Sequence, residues 1–272
     1  MSVDYNSESS LVAALTGHDF LIITLSVRAP PDLHGKIVAA ASKAGVQYIM
    51  PNYYGYGIGT RSGSAANDPF LGPLGKPVAE VSAYEDIKWV ALVCGFWYEF
   101  SVGMGEQWLG FDIEKRTVVL YDDGTRKINT STWEQCGRAV ANLLSLPIAR
   151  KEDESLAVED WAKQGLYVSS FLVSQRDILE SLHRVLGTKD GDWTITYEKV
   201  EERYRSGVDM MEGGNMLGFA QALYSRLFFP SGEGNYEQDG LDNSKLGLPK
   251  EDLDEATRRA VDMVKGGFGV HA

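Results

Sequence analysis

Apolar and polar positions along the chain follow two rhythms in turn. In Ser7 to Leu15, Leu11, Val12 and Leu15 fall on one helical face. Asn6 or Ser7 is placed to cap that helix and Gly17 to stop it. Phe20 to Ser26 then runs almost unbroken apolar and β-rich, the pattern of a strand covered on both faces. Pro30 and Pro31 open a second helix, Asp32 to Ala44, which Gly45 ends, and Val46 to Met50 is a second buried strand closed by Pro51. Two helix–strand units in succession predict a parallel sheet with right-handed crossovers. Ligands on such sheets bind at the carboxyl ends of the strands. Those ends are Thr24-Leu25-Ser26 and Pro51-Asn52-Tyr53-Tyr54-Gly55.

The rhythm continues beyond a Gly-, Ser- and Pro-rich loop, Arg61 to Pro73. A third helix covers Lys76 to Asp86, and a third buried strand, Trp89 to Val93, runs into Cys94-Gly95-Phe96-Trp97-Tyr98-Glu99. Thr117 to Leu120 and Arg126 to Thr130 flank Asp123-Gly124, which predicts a hairpin. Trp133 to Leu146 reads as a helix with Ala139, Leu143 and Leu144 inward, followed by a charged connection, Arg150 to Glu159. Tyr167 to Val173 reads as a fourth strand. Ser174 caps a helix over Gln175 to Leu186, with Gly187 as its stop. A short strand at Thr194 to Tyr197 precedes helices over Glu201 to Met211, Met216 to Phe228 and Asp252 to Lys265, with a polar, Gly-rich segment, Pro230 to Asn243, before the last.

Composition narrows the class. The 272 residues are 44% hydrophobic and 24% charged, an ordinary globular balance that excludes disordered and fibrous chains. A net charge of −12 argues against non-specific nucleic-acid binding, which relies on Lys and Arg meeting phosphates. The longest apolar run, Trp89 to Tyr98, is about half of a bilayer-spanning helix, so no membrane partner is expected. Cys94 and Cys136 are too few and too distant in sequence for a metal site or a disulfide framework, which makes a reduced, cytoplasmic location the default.

Most candidate chemistry dissolves on inspection. Tyr84 and Lys88 have the Tyr-x-x-x-Lys spacing of short-chain dehydrogenases, but Lys88 falls at a helix end beside a strand. Gly55-Tyr56-Gly57-Ile58-Gly59 leads into a loop and aims no helix N-terminus at a phosphate. Gly103-Met104-Gly105 and Gly232-Glu233-Gly234 are weaker still. His18, His34, His183 and His271 lack metal-ligand spacing, and no metal is expected. Phe96, Trp97 and Tyr98, with Trp108, either line an apolar pocket at a strand end or pack as core.

Several stretches together carry a family resemblance: LIITLSVRAPPDLHGKIV, GVQYIMPN, VALVCGFWYEF, KINTSTWEQCGRAV, VSQRDILESLHRVLG and LGLPKEDLDEATRRAV. The chain resembles the NmrA-like and isoflavone-reductase-like branch of the short-chain dehydrogenases, and within it the fungal CipA-type oxidoreductases. The resemblance spans nearly the whole chain. It implies an α/β fold: an N-terminally truncated Rossmann-like parallel sheet in residues 1–95, with a small, mostly C-terminal substrate lobe in 96–272 that returns sheet elements at about 166–186. It implies NADP(H) beside Thr24, Leu25, Ser26, Pro51, Asn52 and Tyr53, with Phe96 near the nicotinamide. Tyr54, Trp97 and Tyr98 become substrate-binding candidates.

The related reductases use a Lys on the helix matching Pro73 to Asp86. Counting back from Glu85-Asp86-Ile87 reaches Gly75, so Lys76 is the catalytic candidate one residue away, a turn of about 100° on a helix. The family's opening strand, Gly-x-x-Gly-x-x-Gly turn and helix have no counterpart here, roughly the first fifth of the domain. Cofactor binding is therefore expected to be weakened or lost, and Phe20 to Ser26 to present an unpaired edge. The implied activity is NADPH-dependent reduction of a small aromatic or unsaturated metabolite. The alternative is a truncated pseudoenzyme or an NADP-sensing binding protein with a protein partner or self-association.

Overall fold

The computed structural model describes residues 2–26, 28–56, 70–150 and 156–268. Most of the Arg61 to Pro73 loop, the Gly57 to Gly59 stretch, residues 151–155 of the charged connection and His271 lie outside the described residues. In chain order the first elements are α1 (Glu8–Leu15), β1 (Phe20–Ile22), α2 (Leu33–Ala44), β2 (Tyr48–Met50), β3 (Tyr54–Gly55), α3 (Lys76–Ser82) and β4 (Lys88–Val93). Then come β5 (Phe96–Trp97), α4 (Tyr98–Gly103), β6 (Phe111–Asp112), β7 (Thr117–Tyr121), β8 (Ile128–Ser131) and α5 (Trp133–Leu144). The chain continues with β9 (Gln164–Tyr167), β10 (Phe171–Val173), α6 (Gln175–Leu186), β11 (Thr194–Glu198), α7 (Val200–Glu212), α8 (Leu217–Leu227) and α9 (Leu253–Lys265). Two compact units result: Met1–Val93 with Leu143–Tyr167, and Cys94–Asn142 with Val168–Ala272.

In the first unit every strand pairing is parallel. The order is β1-β2-β4-β3, with β9 on the opposite side of β4 from β3. Both β2 and β3 pair with β4, and the register slips by two residues between them. Pro51 falls in that interruption, where it has no N–H to give to a ladder. The core is made by Ile37, Val38, Ala40 and Ala41 of α2 and Val78 and Val81 of α3, gathered with Ile49, Trp89 and Ala91 of the sheet. Ser7 caps α1 by accepting from the Ser10 N–H, and Gly45 ends α2 at φ 79°. β1 is shorter than its apolar run and only half-buried, with Ile22 36% exposed. Among the described residues it pairs with β2 alone, so it is the edge strand that the resemblance implied and not a strand covered on both faces.

The second unit holds two small sheets, β10-β8-β5 and β11-β7-β6, with helices around them. The predicted hairpin is not formed. Its turn exists: Gly124 has φ 72° and Thr125 bonds to the Asp123 carboxylate. The flanking strands nevertheless part, because β8 is buried at all four positions and takes a place between β10 and β5. β7 goes to β11 and β6 instead. The strand expected over Tyr167 to Val173 divides as well. Ser169 leaves the ladder, held by Asn243 through its own N–H at 3.1 Å and its carbonyl at 2.6 Å. Leu144 is 44% exposed, unlike Ala139 and Leu143, so it is not an inward position. Gly95 turns the backbone at φ 64°, where a Cβ would lie 2.2 Å from the Asn129 carbonyl oxygen. No helix among the described residues is long and apolar enough to cross a membrane.

Candidate functional site

At the carboxyl ends of β1 and β2, a side chain does the work of backbone. Asn52 accepts from the Leu25 N–H at 2.9 Å and donates to the Leu25 carbonyl at 3.3 Å. The amide thus copies a strand partner one step beyond buried Pro51. The Tyr54 hydroxyl donates to the Ile23 carbonyl at 2.7 Å, and that of Tyr53 to the Tyr56 carbonyl at 2.9 Å. Thr24 and Ser26 alternate with Leu25 and are exposed.

Behind this clasp stands a residue that sequence reasoning passed over. His34 is buried on α2, with Nδ1 at 2.6 Å from Glu80 Oε2 and Nε2 accepting from the Asn52 N–H at 3.3 Å. A backbone N–H can only donate, so Nε2 is the bare nitrogen and Nδ1 carries the proton toward the carboxylate. The other Glu80 oxygen lies 3.4 Å from Lys76 Nζ, and that ammonium also donates to the Pro31 carbonyl at 2.9 Å. The connected chain is Lys76–Glu80–His34–Asn52–Leu25. Its signal in the sequence was the spacing of His34 with Ile37, Val38 and Ala41, which puts an imidazole on the buried face of a helix. Lys76, the catalytic candidate, stands at the first position of α3 with its side chain 57% exposed and its ammonium so tied.

The remaining candidates belong to the second unit. Phe96 is buried and stacks on Tyr224, centroids 3.6 Å apart. Tyr98 is fully buried with its hydroxyl 2.6 Å from Thr257 Oγ1, and burial pushes that phenol's pKa well up. These two rings pack as core. Trp97, 36% exposed, reaches the surface beside Phe100. Next to it on α4, Glu99 is held by Arg259, whose Nε and Nη2 contact the same oxygen at 3.1 and 2.8 Å. The fold also brings together two thiols that lie far apart in sequence. Cys136 of α5 meets the Cys94 sulfur, and this contact together with burial drives its pKa upward. Tyr84 follows the end of α3 and Lys88 begins β4, so the Tyr-x-x-x-Lys pair shares no helix face. A cavity of about 410 Å³ elsewhere in this unit is lined by Arg126, Lys127, Gly232, Asn235 and Glu237, and takes in none of the site candidates.

No family model matches the chain. Oxidoreductase aprR of Aspergillus flavus is 26% identical over 259 residues, covering 93% of this chain and 80% of aprR. Among solved structures, isoflavone reductase superposes with a TM-score of 0.72 at 18% identity, covering 94% of this chain and 79% of that one. The Citrobacter sp. triphenylmethane reductase, complexed with NADP(H), gives a TM-score of 0.63 at 20% identity, covering 94% of this chain and 81% of that one. The fold is therefore that of the isoflavone-reductase-like proteins, an α/β fold with a parallel Rossmann-like sheet. Its relatives by sequence include fungal oxidoreductases, and the family resemblance read from the sequence is borne out.

Proposed function

We propose that this chain is an NADPH-dependent reductase of a small aromatic or unsaturated metabolite. The observation that carries the reading is the Asn52 clasp, which fixes the carboxyl ends of two parallel strands, the place where ligands of such sheets lie. The groups there suit one flank of a dinucleotide. Thr24 and Ser26 offer exposed hydroxyls, and the backbone beside them is held in place by Asn52 and Tyr54. The nicotinamide would supply the hydride when bound. The chain's own part is to hold the strand ends: Asn52 bonds to Leu25, and His34, seated on Glu80, bonds to the Asn52 backbone. The 26% identity to a fungal oxidoreductase supports the class of reaction.

One observation favours a second reading, a dinucleotide-binding sensor without turnover. The Lys76 ammonium is bound to Glu80 and Pro31, which leaves α3 without an obvious proton donor. A panel of enones and ketones tests the two. Substrate-dependent NADPH oxidation by the full chain, reduced by Asn52→Leu, is expected for a reductase. Saturable NADPH binding with no oxidation across the panel would reject the reductase and favour the sensor.

A further inference from the structure

The cavity of about 410 Å³ in the second unit is lined by charged groups that the fold does not use. Its walls come from two stretches of chain. Arg126 and Lys127 lead into β8, and Leu227 ends α8 ahead of Asn235, Glu237 and Gln238. The Arg126 guanidinium makes no hydrogen bond or ion pair among the described residues. It acts on Asp123 through its charge alone, because Thr125 bonds to that carboxylate at 2.7 and 2.9 Å. The bonds of Glu237 are those of its backbone, the N–H donating to Asn235 Oδ1 at 3.1 Å and the carbonyl accepting from the Gly240 N–H at 3.0 Å. Its carboxylate, like Arg126, has no hydrogen bond or ion pair among the described residues. Lys127 lies 3.3 Å from Asp177, which offsets its charge. One cavity thus presents a positive and a negative group that do not pair with each other.

The frame behind these groups is fixed. Asn129, buried in β8, donates its N–H to the Gly234 carbonyl at 2.8 Å, and its Oδ1 accepts from the Tyr236 N–H at 2.9 Å. Gly234 packs so closely on the end of α8 that a Cβ there would lie 2.4 Å from the Leu227 carbonyl oxygen. Arg226 and Glu233 form a buried ion pair at 3.1 Å, and Ser231 also bonds to Glu233. The backbone of both walls is therefore held, while the side chains of Arg126, Glu237 and Gln238 are exposed. A preformed cavity of this size suits a small molecule. The two charges decide its class. An anion alone would meet Glu237, a cation alone would meet Arg126 and Lys127, and an uncharged apolar molecule would strip water from all three without replacing it. A molecule with one group of each sign satisfies both walls, a carboxylate matching the planar guanidinium and an ammonium the Glu237 carboxylate. Leu227, 1% exposed, gives an apolar floor for the carbon chain between them.

We propose that this cavity binds a small zwitterion, an amino acid whose carboxylate lies on Arg126 and whose ammonium lies on Glu237. Every residue of the site belongs to the second unit. The site goes beyond the reductase reading and does not depend on it.

The test is calorimetric titration of the full chain, without nucleotide, with L-leucine and 6-aminohexanoate, which carry the two charges at short and long separation. Hexanoate and hexylamine each keep one charge of the longer compound. Wild-type protein is expected to bind at least one zwitterion saturably, with a Kd of about 1 mM or below. That affinity should exceed those of hexanoate and hexylamine by at least about tenfold, the value of one bond between charged groups. Arg126→Gln is expected to lower the affinity for the zwitterion to that for hexylamine, and Glu237→Gln to that for hexanoate. Both side chains are exposed, so an unchanged melting temperature separates lost binding from lost fold. No saturable binding of either zwitterion, equal binding of a single-charge compound, or unchanged affinity in either variant would overturn the site. Since no nucleotide is present, a failure here leaves the reductase reading intact, and a failure to bind NADPH leaves this site intact.

Discussion

In the first unit His34 occupies both ring nitrogens, one on Glu80 and one on the Asn52 amide, and Asn52 in turn occupies its side chain on Leu25. In the second unit Glu99 has one oxygen gripped twice by Arg259 and the other bare. A satisfied buried network fixes a shape, and a half-satisfied one is costly until something completes it. The first unit ties its strand ends with its own side chains; the second leaves a buried acceptor that none of its described side chains completes. The comparison predicts that removing a doubly bonded group costs more stability than changing a half-bonded one.

The largest expected effect breaks the second unit itself. Gly95→Ala would press a Cβ against the Asn129 carbonyl at a backbone angle that side chains rarely adopt. It should cost about 3 kcal/mol by urea unfolding, the upper range for overpacking and strain. An unshifted midpoint would deny the close approach. His34→Leu comes next, since it takes a partner from both the Glu80 carboxylate, which keeps Lys76, and the Asn52 N–H; about 2 kcal/mol is expected from two partly buried groups losing a bond each. Glu99→Gln should cost about 1 kcal/mol, as Arg259 keeps a neutral acceptor and no bond to the second oxygen is lost. Equal losses in these two variants would remove the contrast between the units.

Acid provides a smaller effect. Bonds from Arg184 hold the Asp254 carboxyl below its ordinary range, Ser181 adds to this, and partial burial works against it. A folded pKa below the unfolded one gives stability that is present above the ordinary carboxylate range and lost as pH falls through the folded value. For a partly exposed pair this is worth under about 1 kcal/mol. Asp254→Asn should lower stability by that much at neutral pH and flatten the acid limb of a melting-temperature profile. The smallest change belongs to Leu144→Glu, at an exposed position, where the midpoint should move by no more than about 0.5 kcal/mol.

Elements whose boundaries are local chemistry were legible in the sequence. Ser174 and Gly187 bracket α6, Gly45 ends α2, and the apolar run at β4 is buried from Trp89 onward, because caps and burial patterns act within a few residues. Pairing was less so. The Asp123-Gly124 turn formed, yet burial on both faces drew β8 to β10 and β5, a choice made by residues far along the chain. The candidate site divides the same way. Asn52 and Leu25 were singled out from their position at strand ends, and the structure joins them. His34, Glu80 and Glu99 were not: helical spacing puts His34 on a buried face, but the partners of all three stand 18 to 160 residues away.

The most direct test of the central claim is a titration of the full chain with NADPH, followed by nicotinamide fluorescence beside a melting curve. The account predicts saturable binding that raises the melting temperature of the wild type and is weakened in Asn52→Leu. A folded chain that neither changes the fluorescence nor gains thermal stability at saturating NADPH would contradict it.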